Sequence, residues 1–92
     1  MKQIDVFYLT GCPYCANARK AIGELQEDPA YRDISIRWIE ERENPALADQ
    51  RDYFRVPTLY YGEKKLYEAE PSHGFDTIRS RIRAAFDTVI GS

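Results

Sequence analysis

The sequence predicts an α/β domain: a central mixed four-stranded sheet flanked by three helices, in the order β-α-β-α-β-β-α. Three observations carry this. Short runs rich in β-formers, several of them alternating in polarity, begin near positions 3, 34, 58 and 65. Two longer stretches, 14–26 and about 72–89, repeat their apolar residues at helical spacing. The 92 residues contain no linker, repeat or low-complexity segment, so residues 1–92 read as one domain.

Gln3 to Leu9 alternates and forms the first strand. Tyr14 to about Gln26 is a helix with Ala18, Ala21, Ile22 and Leu25 on one face. The Asp28-Pro29 pair is expected to end it, because a residue before proline is pushed out of the helical region. Ile34 to Ile39 is the second strand, with Ile34, Ile36 and Trp38 on one face. Asn44-Pro45 starts a second helix, asparagine as N-cap and proline at the first helical position, running to about Tyr53. Thr58 to Tyr61 and Lys65 to Glu68 form a hairpin around Gly62-Glu63. Phe75, Ile78, Ile82, Phe86 and Val89 define the last amphipathic helix, and Gly91 lies past its end. The first three strands and two helices read as a βαβαβ unit with parallel pairing and right-handed crossovers. The fourth strand returns antiparallel through the hairpin, and helices cover both faces.

Composition excludes several classes. Hydrophobic residues make up 43% of the chain but no run approaches a membrane span of roughly 18 residues. The first residues, Met1 to Val6, lack the apolar stretch of a signal peptide, so a cytoplasmic location and no membrane are expected. The net charge is −2, with 13 cations and 15 acids well mixed. Arg79, Arg81 and Arg83 sit among Ile78, Ile82 and Phe86, so they mark the solvated flank of a helix rather than a nucleic-acid footprint. No apolar stripe is left over once the elements are assigned, and a monomer is expected.

Cys12 and Cys15 are the only cysteines. Two cannot build a disulfide scaffold, and a reducing cytosol disfavours a permanent bridge. A structural zinc needs four ligands and a catalytic one three, and His73 is the single histidine on offer. Two inert core cysteines would leave Pro13 and the strand-to-helix junction unexplained. A redox pair explains both. At a helix start the free backbone N–H groups and the dipole stabilise a thiolate on Cys12. Pro13 there costs no hydrogen bond. Cys15, one turn into the helix, is expected to be more buried yet close to the first sulfur. Cys12 then attacks a disulfide, and Cys15 resolves the mixed disulfide.

The strand, Cys12-Pro13-Tyr14-Cys15, the helix, and Val56-Pro57-Thr58 entering the third strand resemble the thioredoxin superfamily, the glutaredoxins most closely, from Gln3 to Phe86. The resemblance implies a thioredoxin-like fold, a nucleophilic Cys12 and a resolving Cys15. It implies that Pro57 is cis, lies beside the cysteines and blocks metal capture by them. It implies that Val56 offers backbone groups that pair with substrate as an added strand would, and that Pro13 and Tyr14 border the substrate groove. There are departures. Glutaredoxins carry Lys or Arg three residues before the first cysteine, for a glutathione carboxylate, and this chain has Leu9. Where they carry Gly-Gly it has Tyr67 and Glu68, followed by a longer segment in which Gly74 and Asp76 are a shifted remnant. Thioredoxins proper carry Trp-Cys-Gly-Pro-Cys and a buried aspartate where this chain has Val6. Weak or absent glutathione use is therefore expected, with glutathione or a reductase as electron donor.

Other residues have two readings each. Arg55 either attracts a substrate carboxylate or is a solvated charge at a helix end. His73 either donates a proton to a leaving thiol or is a surface histidine in a turn. Thr10 and Gly11 shape a tight turn, and Thr10 could donate to a sulfur. Trp38 packs on the core, one of Tyr60 and Tyr61 is buried, and Glu40 to Glu43 form a solvated loop. The expected activity is thiol–disulfide exchange reducing protein or mixed disulfides, with no bound cofactor and no metal. The expected substrate-binding residues are Pro13, Tyr14, Arg55, Val56 and Pro57. The alternatives are an iron–sulfur carrier sharing a cluster between two chains, and a binding module of the same fold without redox turnover.

Overall fold

Alternation along the first strand divides the core in two. The computed structural model describes residues 2–92, and its first strand, β1 (Gln3–Tyr8), buries Ile4 and Val6 on one face and Phe7 on the other. On the Ile4 and Val6 side lie α1 (Pro13–Leu25) and α3 (Phe75–Ile90). They bury the expected Ala18, Ala21, Ile22 and Leu25 on α1 and Ile78, Ile82, Phe86 and Val89 on α3, with Ala85 added and Phe75 only half-buried. Each fully buried large side chain of this kind contributes about 1.5–3 kcal/mol relative to exposure. On the Phe7 side a smaller cluster joins Ile39 and Tyr60 to Leu47, Ala48, Tyr53 and Val56.

The remaining elements are β2 (Ser35–Glu40), α2 (Pro45–Asp49), β3 (Thr58–Tyr61) and β4 (Lys64–Glu68). The sheet order is β2-β1-β3-β4. β1 and β2 are parallel, with Val6 opposite Trp38, and β3 and β4 are antiparallel. Gly62, at φ +60°, opens the two-residue turn between them, a left-handed position suited to glycine.

One expectation is overturned. β3 runs antiparallel to β1, with Val6 opposite Leu59, so the first three strands are not a βαβαβ unit of parallel strands. α2 ends at Asp49 rather than near Tyr53, and the residues that follow it stay at the end of the sheet where β2 stops. The chain therefore re-enters the sheet at the end it left. Tertiary contacts take Tyr53 out of the helix: its ring lies 5.2 Å from that of Phe7, and its hydroxyl donates to Glu41 at 2.7 Å. Asn44 flanks α2, but its side chain donates to the Glu40 carbonyl at 3.0 Å instead of capping the helix.

The edges suit a free-standing sheet. β4 carries exposed Lys64 and Lys65, and lysines on an edge discourage pairing with another chain. On β2, Arg37 holds the buried Asp5 of β1 through two contacts of 3.0 Å. Among the described residues no helix is long and apolar enough to cross a membrane.

Candidate active site

The site begins where β1 stops. Gly11, at φ +87°, turns the chain, and the Cys12 N–H returns to the Leu9 carbonyl at 3.3 Å. Cys12 is extended (φ −81°, ψ 122°) and caps α1, and its carbonyl accepts the Ala16 N–H at 3.0 Å. Its sulfur is half-buried and accepts the Cys15 N–H at 3.4 Å, so one of the helix's unpaired donors is aimed at it. Cys15 is 5% exposed. Burial, reinforced by the neighbouring Cys12, pushes the Cys15 thiol up to about 12. Cys15 therefore holds its proton at neutral pH, and of the two cysteines it is the more buried.

Val56-Pro57 comes in from the other side. The peptide between them is cis, and the Val56 carbonyl oxygen lies 4.0 Å from the Cys12 sulfur. Pro57 is buried, and its carbonyl accepts the Ala69 N–H at 3.0 Å, which ties this loop to the end of β4. The approach is fixed by Glu68. One of its oxygens accepts the N–H groups of Phe54 at 2.7 Å and Arg55 at 2.8 Å, and the other accepts from Lys65 at 2.8 Å. Desolvation raises the Glu68 pKa, but Lys65 and these donors outweigh it, and the carboxyl titrates below its ordinary value.

One cavity reaches Cys12 and a second lies on the far side of Val56 and Tyr14. The first, of about 450 Å³, runs past Leu9, Cys12, Cys15 and Arg19. The other, of about 280 Å³, is bounded by Tyr14, Phe54, Arg55, Val56 and Pro71. The Tyr14 hydroxyl donates to the Pro71 carbonyl at 2.8 Å and closes that groove's far wall. Of the residues expected to bind substrate, Pro13 lines the cavity that reaches Cys12, while Tyr14, Arg55 and Val56 line the second one, with the Val56 carbonyl nearest the sulfur. The Arg55 side chain is exposed on the groove's edge.

His73 lines neither cavity. It stacks on Tyr67 with the ring planes 11° apart. Its Nδ1 accepts the Glu70 N–H at 3.3 Å and lies 2.8 Å from the Tyr67 hydroxyl. Burial pushes that phenol up to about 12, so Tyr67 keeps its proton and donates it to Nδ1. His73 fastens the loop after β4. Among the described residues, no three histidine, cysteine, aspartate or glutamate side chains converge as metal ligands.

Glu40 departs from expectation, because it is buried and not part of a solvated loop. It accepts the Thr10 N–H at 2.9 Å and the Arg42 N–H at 2.6 Å, and pairs with the Arg42 guanidinium at 3.1 Å. The turn before Cys12 has donors that need an acceptor, and the last residue of β2 supplies it. The Thr10 N–H is the largest influence holding the Glu40 carboxyl down, to about 2 against an ordinary 4.5. Its stabilising contribution is complete above pH 4.5 and drains away as the pH falls toward about 2. Glu40→Gln is expected to be less stable than wild type at pH 6, with the gap closing near pH 2. Urea unfolding at several pH values measures this, and a gap independent of pH would show that the charge is not what holds the turn.

Three site residues escape the sequence reading. Phe54 is 89% exposed beside the second groove. Its only sequence signal is an aromatic with no strand or helix face to occupy. Glu68 reads as an ordinary strand-end charge. Arg19 had a signal: positions 12, 16 and 19 follow helical spacing, which puts it on the Cys12 side of α1.

No family model matches the chain, and no curated protein matches it in sequence. Solved structures do. A thioredoxin of Malassezia sympodialis superposes with a TM-score of 0.69 at 18% identity, over 96% of this chain and 74% of that one. Thioredoxin 1 of Thermosipho africanus gives 0.57 at 22%, over 94% and 96%. A thioredoxin of Halobacterium salinarum gives 0.59 at 23%, over 91% and 74%. At such identities the likeness is one of architecture, and on that ground the chain is a thioredoxin-fold domain.

Proposed function

We propose that the protein is a glutaredoxin-like thiol–disulfide oxidoreductase that reduces protein or mixed disulfides. The observation that carries this reading is the unequal pair: a half-buried Cys12 sulfur at a helix N-cap beside Val56, and a buried, protonated Cys15 one turn on. The Cys12 thiolate attacks one sulfur of a substrate disulfide. A new S–S bond forms, the old one breaks, and the departing thiolate takes a proton from solvent. Cys15 then loses its proton and attacks the Cys12 sulfur, releasing the second substrate thiol and leaving a Cys12–Cys15 disulfide. The substrate gains two electrons and the protein loses them. A thiol such as glutathione, or a reductase, restores the pair. The substrate chain lies along Val56 as an added strand, with Tyr14, Arg55 and Phe54 beside it.

The test is iodoacetamide alkylation of the reduced protein at pH 7, with the modified cysteine located by mass spectrometry. Cys12 is expected to react at least about 100-fold faster than Cys15, since the thiolate is the reactive form and Cys15 is held protonated. Equal, slow reaction of both cysteines would sink the reading and favour a binding module.

A further inference from the structure

Arg19 is a charged residue on the Cys12 side of α1. Its guanidinium carbon sits 4.0 Å from the centre of the Trp38 ring and 5.3 Å from that of Tyr8, and the two rings meet edge to face. Stacking on a ring fixes the plane of a guanidinium but leaves its in-plane N–H groups available, the geometry that takes a carboxylate with two bonds. Other arginines in this chain have such partners: Arg37 with Asp5, Arg42 with Glu40, Arg79 with Glu24. Among the described residues Arg19 pairs with no carboxylate, although acids outnumber cations. It lines the 450 Å³ cavity that also reaches Cys12. Leu9, on the same wall, offers nothing to an anion.

We infer that this cavity is a carboxylate subsite, and that Arg19 selects disulfide substrates bearing an acidic residue two or three positions from the attacked cysteine. The spacing follows from the helix. Arg19 lies seven residues beyond Cys12, about 10 Å along the axis, and its side chain leans back toward the N-terminus. An extended substrate covers that distance at about 3.3 Å per residue. The inference rests on the oxidoreductase reading and adds the chemistry of its substrate.

The experiment follows mixed-disulfide formation on the Cys15→Ser protein, using paired peptide disulfides with Glu or Gln at the second or third position from cysteine. With Arg19 in place the Glu peptide is expected to react about three- to tenfold faster than its Gln twin. The preference should shrink at high salt, because the subsite is open to solvent. In Arg19→Gln the ratio falls to near one, and in Arg19→Lys, which keeps the charge without the stacked fork, it is intermediate. Equal rates for the two peptides on the Arg19 protein would overturn the subsite alone. No adduct with any peptide would overturn the redox reading and the subsite with it. Glutathione disulfide, whose carboxylates lie closer to its sulfur, is the second source of this chemistry. A larger Arg19 dependence with it than with the Glu peptide would overturn the assignment to acidic peptides.

Discussion

Replacing Cys15 by serine is expected to turn a cycling reductant into a trap that stops after one step. The Cys12 attack needs only its own sulfur, the helix-start N–H from residue 15 and access past Val56. Serine keeps that N–H. What it removes is the second thiol, so a covalent Cys12–substrate adduct should accumulate to one equivalent per chain, with one equivalent of thiol released. In the wild type the second attack is intramolecular. Well-oriented intramolecular reactions have effective concentrations far above any external thiol, so the adduct should live at least about 1,000-fold longer in the Cys15→Ser protein at millimolar thiol. Cys12→Ser should form no adduct and reduce nothing. Mass spectrometry of the adduct and a count of released thiol check both variants. An adduct that clears as fast in Cys15→Ser as in the wild type at millimolar thiol would refute the resolving role.

The asymmetry on which this depends was legible in the sequence, because it follows from local geometry. A cysteine at a strand-to-helix junction caps the helix, and one three residues later faces back toward the core with Ala18 and Ile22. Element types and the two apolar stripes were legible for the same reason. The direction of β3 was not. Asn44-Pro45 starts a helix correctly, but the helix's length was decided by Tyr53 reaching Phe7 and Glu41, a contact between residues remote in sequence. Those contacts keep the connection at the end of the sheet where β2 stops, so β3 enters from there. Glu40 was misjudged similarly: in a run of charges it reads as solvated, and only the position of Thr10 across the sheet end shows a donor waiting for it. Patterns of period two or three to four report on faces. They carry no information on which loop a buried carboxylate must satisfy.

Glu68 shows how much of the site depends on such a carboxylate. The segment before Pro57 has no regular structure of its own between α2 and β3. Glu68 takes two of its backbone N–H groups and a lysine, while Thr58, Tyr60 and Lys65 donate to its carbonyls at Arg55 and Asp52. Glu68→Ala is expected to lose about 1–3 kcal/mol of stability, since donors in a partly covered turn lose their acceptor. The effect on chemistry should be disproportionate. If the Val56 backbone shifts by even about 1 Å, a peptide can no longer pair beside the sulfur, and reduction of peptide disulfides should slow by about 10- to 100-fold. Iodoacetamide, which needs no groove, should still alkylate Cys12 near its wild-type rate. Glu68→Gln keeps an acceptor oxygen but not the charge for Lys65, and it should recover most of the peptide rate. That split separates positioning from general loosening. If alkylation and peptide reduction fell together, or if glutamine rescued neither, Glu68 would be a stabilising residue and nothing more. The observed geometry favours the split, because the carboxylate contacts the backbone at Phe54 and Arg55, directly before Val56, and the cysteines are fastened separately through β1 and the start of α1.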